Sequence, residues 1–136
     1  MLKGSINHLS LTVSDLPKAM EFFVPFLKFL GYIVDGSGSS MVRVNLSPIT
    51  GGALNIWQAK EAFKGTAFEV YAPGLHHVCF NVESKSQIDE LARLVPTWGG
   101  RVTDPPGEYP YTDRLHLLRR VLSRAGQYQV RVCLHE

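Results

Sequence analysis

Two short segments of this chain align without a gap: Ile6-Asn7-His8-Leu9-Ser10-Leu11-Thr12-Val13 and Leu75-His76-His77-Val78-Cys79-Phe80-Asn81-Val82. Each carries a histidine at its third position, and His8 and His77 define an offset of 69 residues. The same offset pairs Glu21 with Glu90, Gly31 with Gly100, Ile33 with Val102 and Asp35 with Asp104. A single offset held over that distance is the signature of a duplicated structural unit. It restricts the chain to folds made of two copies of one module, each opening on a strand that bears a histidine.

The first copy reads clearly. Residues 6–13 alternate, with Leu9, Leu11 and Val13 on one face and His8, Ser10 and Thr12 on the other, the pattern of a half-buried strand. Ser14 or Asp15 caps a helix whose Pro17 fits the first turn. Phe22, Phe23, Phe26, Leu27 and Leu30 form its apolar stripe, Pro25 is expected to kink it, and Gly31 ends it. Strands are predicted at Tyr32 to Val34, Met41 to Leu46 and Gly52 to Gln58. Residues 36–40 form a hairpin turn, not a phosphate loop, since neither a lysine nor a helix follows. The module is βαβββ. A connector spans 59–73. The second copy has a strand at 75–82, a helix from about Ser84 to Val95 with Ile88, Leu91, Leu94 and Val95 inward, and a strand at Arg101 to Thr103.

At 136 residues the chain is a single domain able to bury a real core. The repeats run over about 5–58 and 74–136. No signal peptide or spanning helix is evident, because Pro25 and Lys28 break the longest apolar run. A cytoplasmic protein with no membrane partner is expected. Cys79 and Cys133 make no disulfide framework or thiolate zinc spacing, and read as small buried hydrophobes.

In each copy the histidine shares its strand face with small or polar side chains. The apolar face must pack on the helices, which leaves the histidine face on the opposite, concave side of the sheet. His8 and His77 are expected to meet near the pseudo-twofold axis. Two imidazoles joined by oxygen ligands from other strands suit Zn, Fe, Mn, Ni or Co with positions open to substrate. The alternative is that both are hydrogen-bonded strand residues without chemistry. His76 is expected to face the helices as a structural residue, or to support His77 from behind.

The stretch Ile6 to Asp15, the helix ending Leu30-Gly31-Tyr32, and Gly74-Leu75-His76-His77-Val78-Cys79-Phe80 resemble the vicinal oxygen chelate superfamily, which includes glyoxalase I, bleomycin and fosfomycin resistance proteins and extradiol dioxygenases. Tyr109-Pro110-Tyr111-Thr112-Asp113 resembles a loop found in some members. The likeness covers nearly all of 5–113 and specifies a fold, not one activity. It implies an α+β architecture: two βαβββ modules forming a curved mixed sheet around a concave site, with helices on the outer face. By position it implies that His8 and His77 are metal ligands, with Gln58 a third. It also implies a homodimer, and a small-molecule substrate bound through two oxygens. Glu61 and Glu69 read as solvated. Trp57, Tyr109 and Tyr111 would line the pocket of a metal-free binding protein, the alternative function.

The resemblance fails at the end. Members close with an aromatic strand, a Pro-Asp turn and a strand bearing a glutamate ligand, whereas 114–136 is rich in arginine and leucine. Residues 1–113 hold nine Lys and Arg against eleven Asp and Glu, net −2; residues 114–136 hold five arginines against one acid, net +4. We read this as a shifted translation. With one permitted choice of codons, deleting one base after the Asp113 codon gives GYIYYAVFFREPDSIKFEFVYM after that aspartate. That string restores the aromatic strand, the Pro-Asp turn and a glutamate whose codon straddles Arg131 and Val132. A frame error accounts for the arginines without a nucleic-acid partner, the other reading of a basic tail. As written, the tail still alternates at Tyr128, Val130, Val132 and Leu134 and can form a closing strand. It lacks the carboxylate, so weak metal binding, or an inactive homologue, is the expectation.

Overall fold

The computed structural model describes residues 3–35, 41–45, 52–108, 115–123 and 129–135. The chain divides into two compact units, residues 1–66 and 67–136. The turn at 36–40, together with Tyr109, Tyr111 and Tyr128, falls outside the described residues.

The first unit contains β1 (His8–Val13), α1 (Leu16–Phe29), β2 (Ile33–Asp35), β3 (Met41–Asn45) and β4 (Ala53–Gln58). This is the βαβββ order read from the sequence, with β1 starting two residues later than the alternation alone indicates. Its sheet runs β1-β4-β3-β2. The first and last strands are parallel neighbours, and β3 is antiparallel to both β4 and β2. Leu11 and Val13 on β1, and Leu54 and Ile56 on β4, are buried on one face, against which α1 packs. The helix buries Leu16, Ala19, Phe22, Phe23, Phe26 and Leu27 at spacings of three and four along one side. The Phe22 ring stacks on Phe26 and meets Phe23 edge-on, both at 5.2 Å between centroids. Each such buried ring stabilises the unit by about 1.5–3 kcal/mol.

Both ends of α1 follow from local chemistry. Asp15 caps the start, its Oδ1 accepting the Lys18 N–H at 3.1 Å. Pro25 lacks the N–H that would bond the Glu21 carbonyl, yet the helix continues four residues past it. At the far end Gly31 takes φ +84°, its N–H reaches Lys28 O, and the Tyr32 N–H reaches Leu27 O at 2.9 Å. This is a Schellman closure, and it requires the left-handed residue.

The second unit holds β5 (Val78–Val82), α2 (Lys85–Leu94), β6 (Gly100–Val102), β7 (Gly107–Glu108), β8 (Leu115–Ser123) and β9 (Gln129–His135). Its path is β5-β9-β8-β6, with short β7 added beside β8. As in the first unit, the opening strand lies parallel to the closing one. The closing strand expected from the tail forms, with Val130, Val132 and Leu134 buried opposite β5. Ser84 and Gln87 make a reciprocal capping box at the start of α2, which buries Ile88 and Leu91. Cys79 corrects an expectation: it is exposed and disulfide-bonded, because it lies on the polar side of β5 with Asn81 while Phe80 and Val82 turn inward. Among the described residues no helix is long and apolar enough to cross a membrane.

Candidate functional site

His8 is the first residue of β1, and its exposed face continues through Ser10 and Thr12. On β4 the residues opposite these are Ala53, Asn55 and Trp57. Paired residues on parallel neighbours point the same way, and the burial pattern agrees: Leu54 and Ile56 are buried while Trp57 is 41% exposed. His8, Ser10, Thr12, Asn55 and Trp57 therefore share one side of the sheet, away from α1. Asn55 stands diagonally from His8, roughly 7–8 Å away between backbones. Its Oδ1 is sealed from solvent and has no hydrogen-bond partner among the described residues. An orphaned acceptor of this kind costs about 1–3 kcal/mol and calls for a donor or a cation.

Asn55 was not singled out from the sequence. The available signal was an amide set between Leu54 and Ile56 in an apolar strand. What raised it to a candidate is the parallel β1/β4 register, which no local pattern reveals.

Gln58 is placed differently from expectation. It pairs with Val13, five residues along the strands from His8, or roughly 16 Å at the usual rise. By alternation it lies on the Leu54 and Ile56 side, facing the helix. Its amide is engaged by backbone: Oε1 accepts the Leu16 N–H at 2.8 Å, and Nε2 donates to Ser14 O at 2.7 Å and to Ala59 O at 3.2 Å. Position, face and hydrogen bonds all make it a clasp on the β1-to-α1 turn and not a partner for His8. Glu61 and Glu69 are exposed, one paired with Lys64 at 2.7 Å, the other accepting the Tyr71 N–H.

In the second unit His77 immediately precedes β5 and is half-buried. Its Nδ1 lies 2.7 Å from Nδ1 of His76, whose ring meets Tyr71 edge-on at 5.7 Å. His76 is exposed and supports His77 directly instead of packing on the helix. Across the sheet Cys79 stands opposite Arg131. The 69-residue offset carries Ser10 onto Cys79, so Arg131 occupies the register position that Asn55 holds in the first unit. Arginine offers donors only and cannot ligate a cation.

These donors fit a divalent metal in part. An imidazole nitrogen and an unpartnered amide oxygen on one face are suitable ligands. Among the described residues, however, no three His, Cys, Asp or Glu side chains gather into a cluster.

A family model, the Glyoxalase/Bleomycin resistance protein/Dioxygenase superfamily, matches residues 5–121, and the chain belongs to that superfamily. It is 35% identical over 97 residues to the uncharacterized protein YqjT of Bacillus subtilis (strain 168), covering 71% of this chain and 73% of the relative. Among solved structures, one from Bacillus halodurans superposes with a TM-score of 0.80 at 20% identity, covering 97% of this chain and 96% of that one. A glyoxylase/bleomycin resistance protein/dioxygenase domain from Frankia sp. EAN1pec gives 0.73 at 24% identity, covering 98% and 93%. At these identities the structures share a fold, one with mixed helix and strand content.

Proposed function

We propose that this chain is a glyoxalase-type protein that binds a small substrate through two neighbouring oxygens on the His8 face, with a divalent metal (Zn, Fe, Mn, Ni or Co) as the binding ion. The observation that carries the reading is the buried Asn55 Oδ1, which has no hydrogen-bond partner among the described residues, on the same face as His8. His8 and Asn55 are the ligands from the first unit, and His77 is the counterpart of His8 in the second. When bound, the metal supplies Lewis acidity that stabilises an enolate or oxyanion, the common element of lyase, isomerase and dioxygenase chemistry in such proteins. Trp57 offers its ring to an apolar part of the substrate. A homodimer belongs to the same proposal and is checked by light scattering.

The test is elemental analysis of the purified chain after loading with each metal, beside His8→Ala, Asn55→Ala and His77→Ala. Metal that falls in His8→Ala and Asn55→Ala supports the proposal for the first unit, and metal that falls in His77→Ala supports the role of its counterpart in the second. Metal-free wild type after loading sinks it and favours a second reading.

That reading is a metal-free protein that sequesters an aromatic or amphipathic molecule. It is supported by exposed Trp57 on the His8 face and by a cationic residue, Arg131, at the register position equivalent to Asn55. Fluorescence quenching by aromatic ligands, lost in Trp57→Leu and kept in Trp98→Phe, distinguishes it.

A further inference from the structure

The two histidines share a feature beyond their position in the repeat. Asn7 Oδ1 lies 2.8 Å from Nδ1 of His8, and His76 Nδ1 lies 2.7 Å from Nδ1 of His77. Asn7 and His76 are themselves related by the offset of 69. In both units the residue before the histidine engages the same ring nitrogen.

We propose that Asn7 and His76 are positioning residues that hold His8 and His77 in the Nδ1–H tautomer, so that the lone pair of each ring lies on Nε2. This deepens the proposed function and rests on its reading of His8 and His77 as binding residues. An amide oxygen can only accept, so the Nδ1 facing it must carry the proton, and the lone pair is left on Nε2. The Ala53 N–H donates to the Asn7 backbone carbonyl at 2.8 Å, which ties the Asn7 backbone to β4.

Between His76 and His77 the two facing nitrogens share a single proton: one donates and the other accepts. The repeat decides which. His77 corresponds to His8 and donates, while His76 accepts at Nδ1 and keeps its own proton on Nε2. The Tyr71 ring meets His76 edge-on at 5.7 Å between centroids. Free imidazole in water favours the opposite, Nε2–H form, so each clamp reverses an intrinsic preference. A histidine that donates its other nitrogen to a fixed acceptor is set in ring orientation and made a better ligand.

Long-range proton–nitrogen NMR on metal-free protein at pH about 8.5, where ordinary imidazoles are neutral, reads the tautomers directly. Signals are assigned with His8→Gln and His77→Gln. Wild type is expected to show His8 and His77 mainly as Nδ1–H. Asn7→Ala and His76→Ala are expected to move the following histidine to mainly Nε2–H. His76→Asn, which copies the clamp of the first unit into the second, is expected to restore Nδ1–H at His77. A packing role alone would not produce that rescue. Nε2–H at His8 or His77 in wild type overturns the proposal, as do tautomers unchanged by both alanine variants. The wild-type spectrum decides the matter even where a variant fails to fold. Because no metal is present, clamps found without metal binding remove the proposed function and leave this inference standing. Metal binding found without clamps does the reverse.

Discussion

Gln58 Oε1 accepts the backbone N–H of Leu16 at 2.8 Å, tying the last residue of β4 to the first residue of α1. The same side chain donates to Ser14 and Ala59 carbonyls, so one amide serves three backbone groups, two of them at the β1-to-α1 turn. Removing it takes away three part-buried hydrogen bonds. Gln58→Ala is expected to destabilise by about 1–3 kcal/mol, measured by urea denaturation. Gln58→Glu is expected to be worse, because a carboxylate oxygen would face the Ser14 carbonyl. Metal content should be unchanged in both, whereas a ligand role would lower it.

The fold was legible where chemistry is local. Asp15 and Ser84, the two N-caps, are 69 residues apart, as are Leu16 and Lys85, the two helix starts. Alternation in β1 and the aromatic stripe of α1 assigned inward and outward faces from spacing alone. Pairing across the sheet was not legible, because β1 and β4 are parallel and more than forty residues apart. Without that register, Gln58 fell where the resemblance implied a third metal ligand, and Asn55 looked like an ordinary strand residue. The Cys79 reading failed for a related reason. Cysteine is usually buried, but its place in the alternation of β5 puts it on the polar side.

Burial pushes the Tyr32 phenol above its ordinary value near 10.0. The folded protein thus holds this proton more tightly than the unfolded chain does. Its contribution to stability is full below about pH 10 and is lost as pH rises through the folded value. Ultraviolet titration should show one tyrosine ionising above the ordinary range, a step absent from Tyr32→Phe, and Tyr32→Phe should flatten the decline in melting temperature above pH 10. An identical decline in that variant would assign the loss elsewhere.

The orphaned oxygen of Asn55 predicts opposite effects on stability and on cation binding. Asn55→Leu removes an unsatisfied buried acceptor and is expected to stabilise the metal-free protein by about 1–2 kcal/mol while weakening metal binding. Asn55→Asp places a carboxylate there. It is expected to destabilise the metal-free protein by about 1–3 kcal/mol, as burying a charge does. Its metal affinity is expected to rise roughly tenfold or more, since a charge contact at 4 Å is worth about 4 kcal/mol near a protein surface. Calorimetric titration with Zn and Ni, beside thermal melts, checks both. Equal metal affinity in wild type and both variants would remove Asn55 from the site.

Arg131 brings the repeat and the anomalous tail to the same position. Its register opposite Cys79 matches that of Asn55 opposite Ser10, and the shifted translation places its glutamate there too. The family model also ends at residue 121, fifteen residues short of the chain's end. Resequencing the coding DNA across Asp113 and Arg114 is expected to reveal one extra base. A chain expressed without that base is expected to bind metal more tightly than the present one by tenfold or more, because a carboxylate replaces a cation at the register position that Asn55 holds in the first unit. Arg131→Glu alone, in the present chain, isolates the charge from the rest of the tail and should recover part of that gain. An intact reading frame would make the arginine-rich ending native. With no gain from Arg131→Glu as well, the position would have no part in cation binding, and the metal-free reading would be the better account of the family fold in this chain.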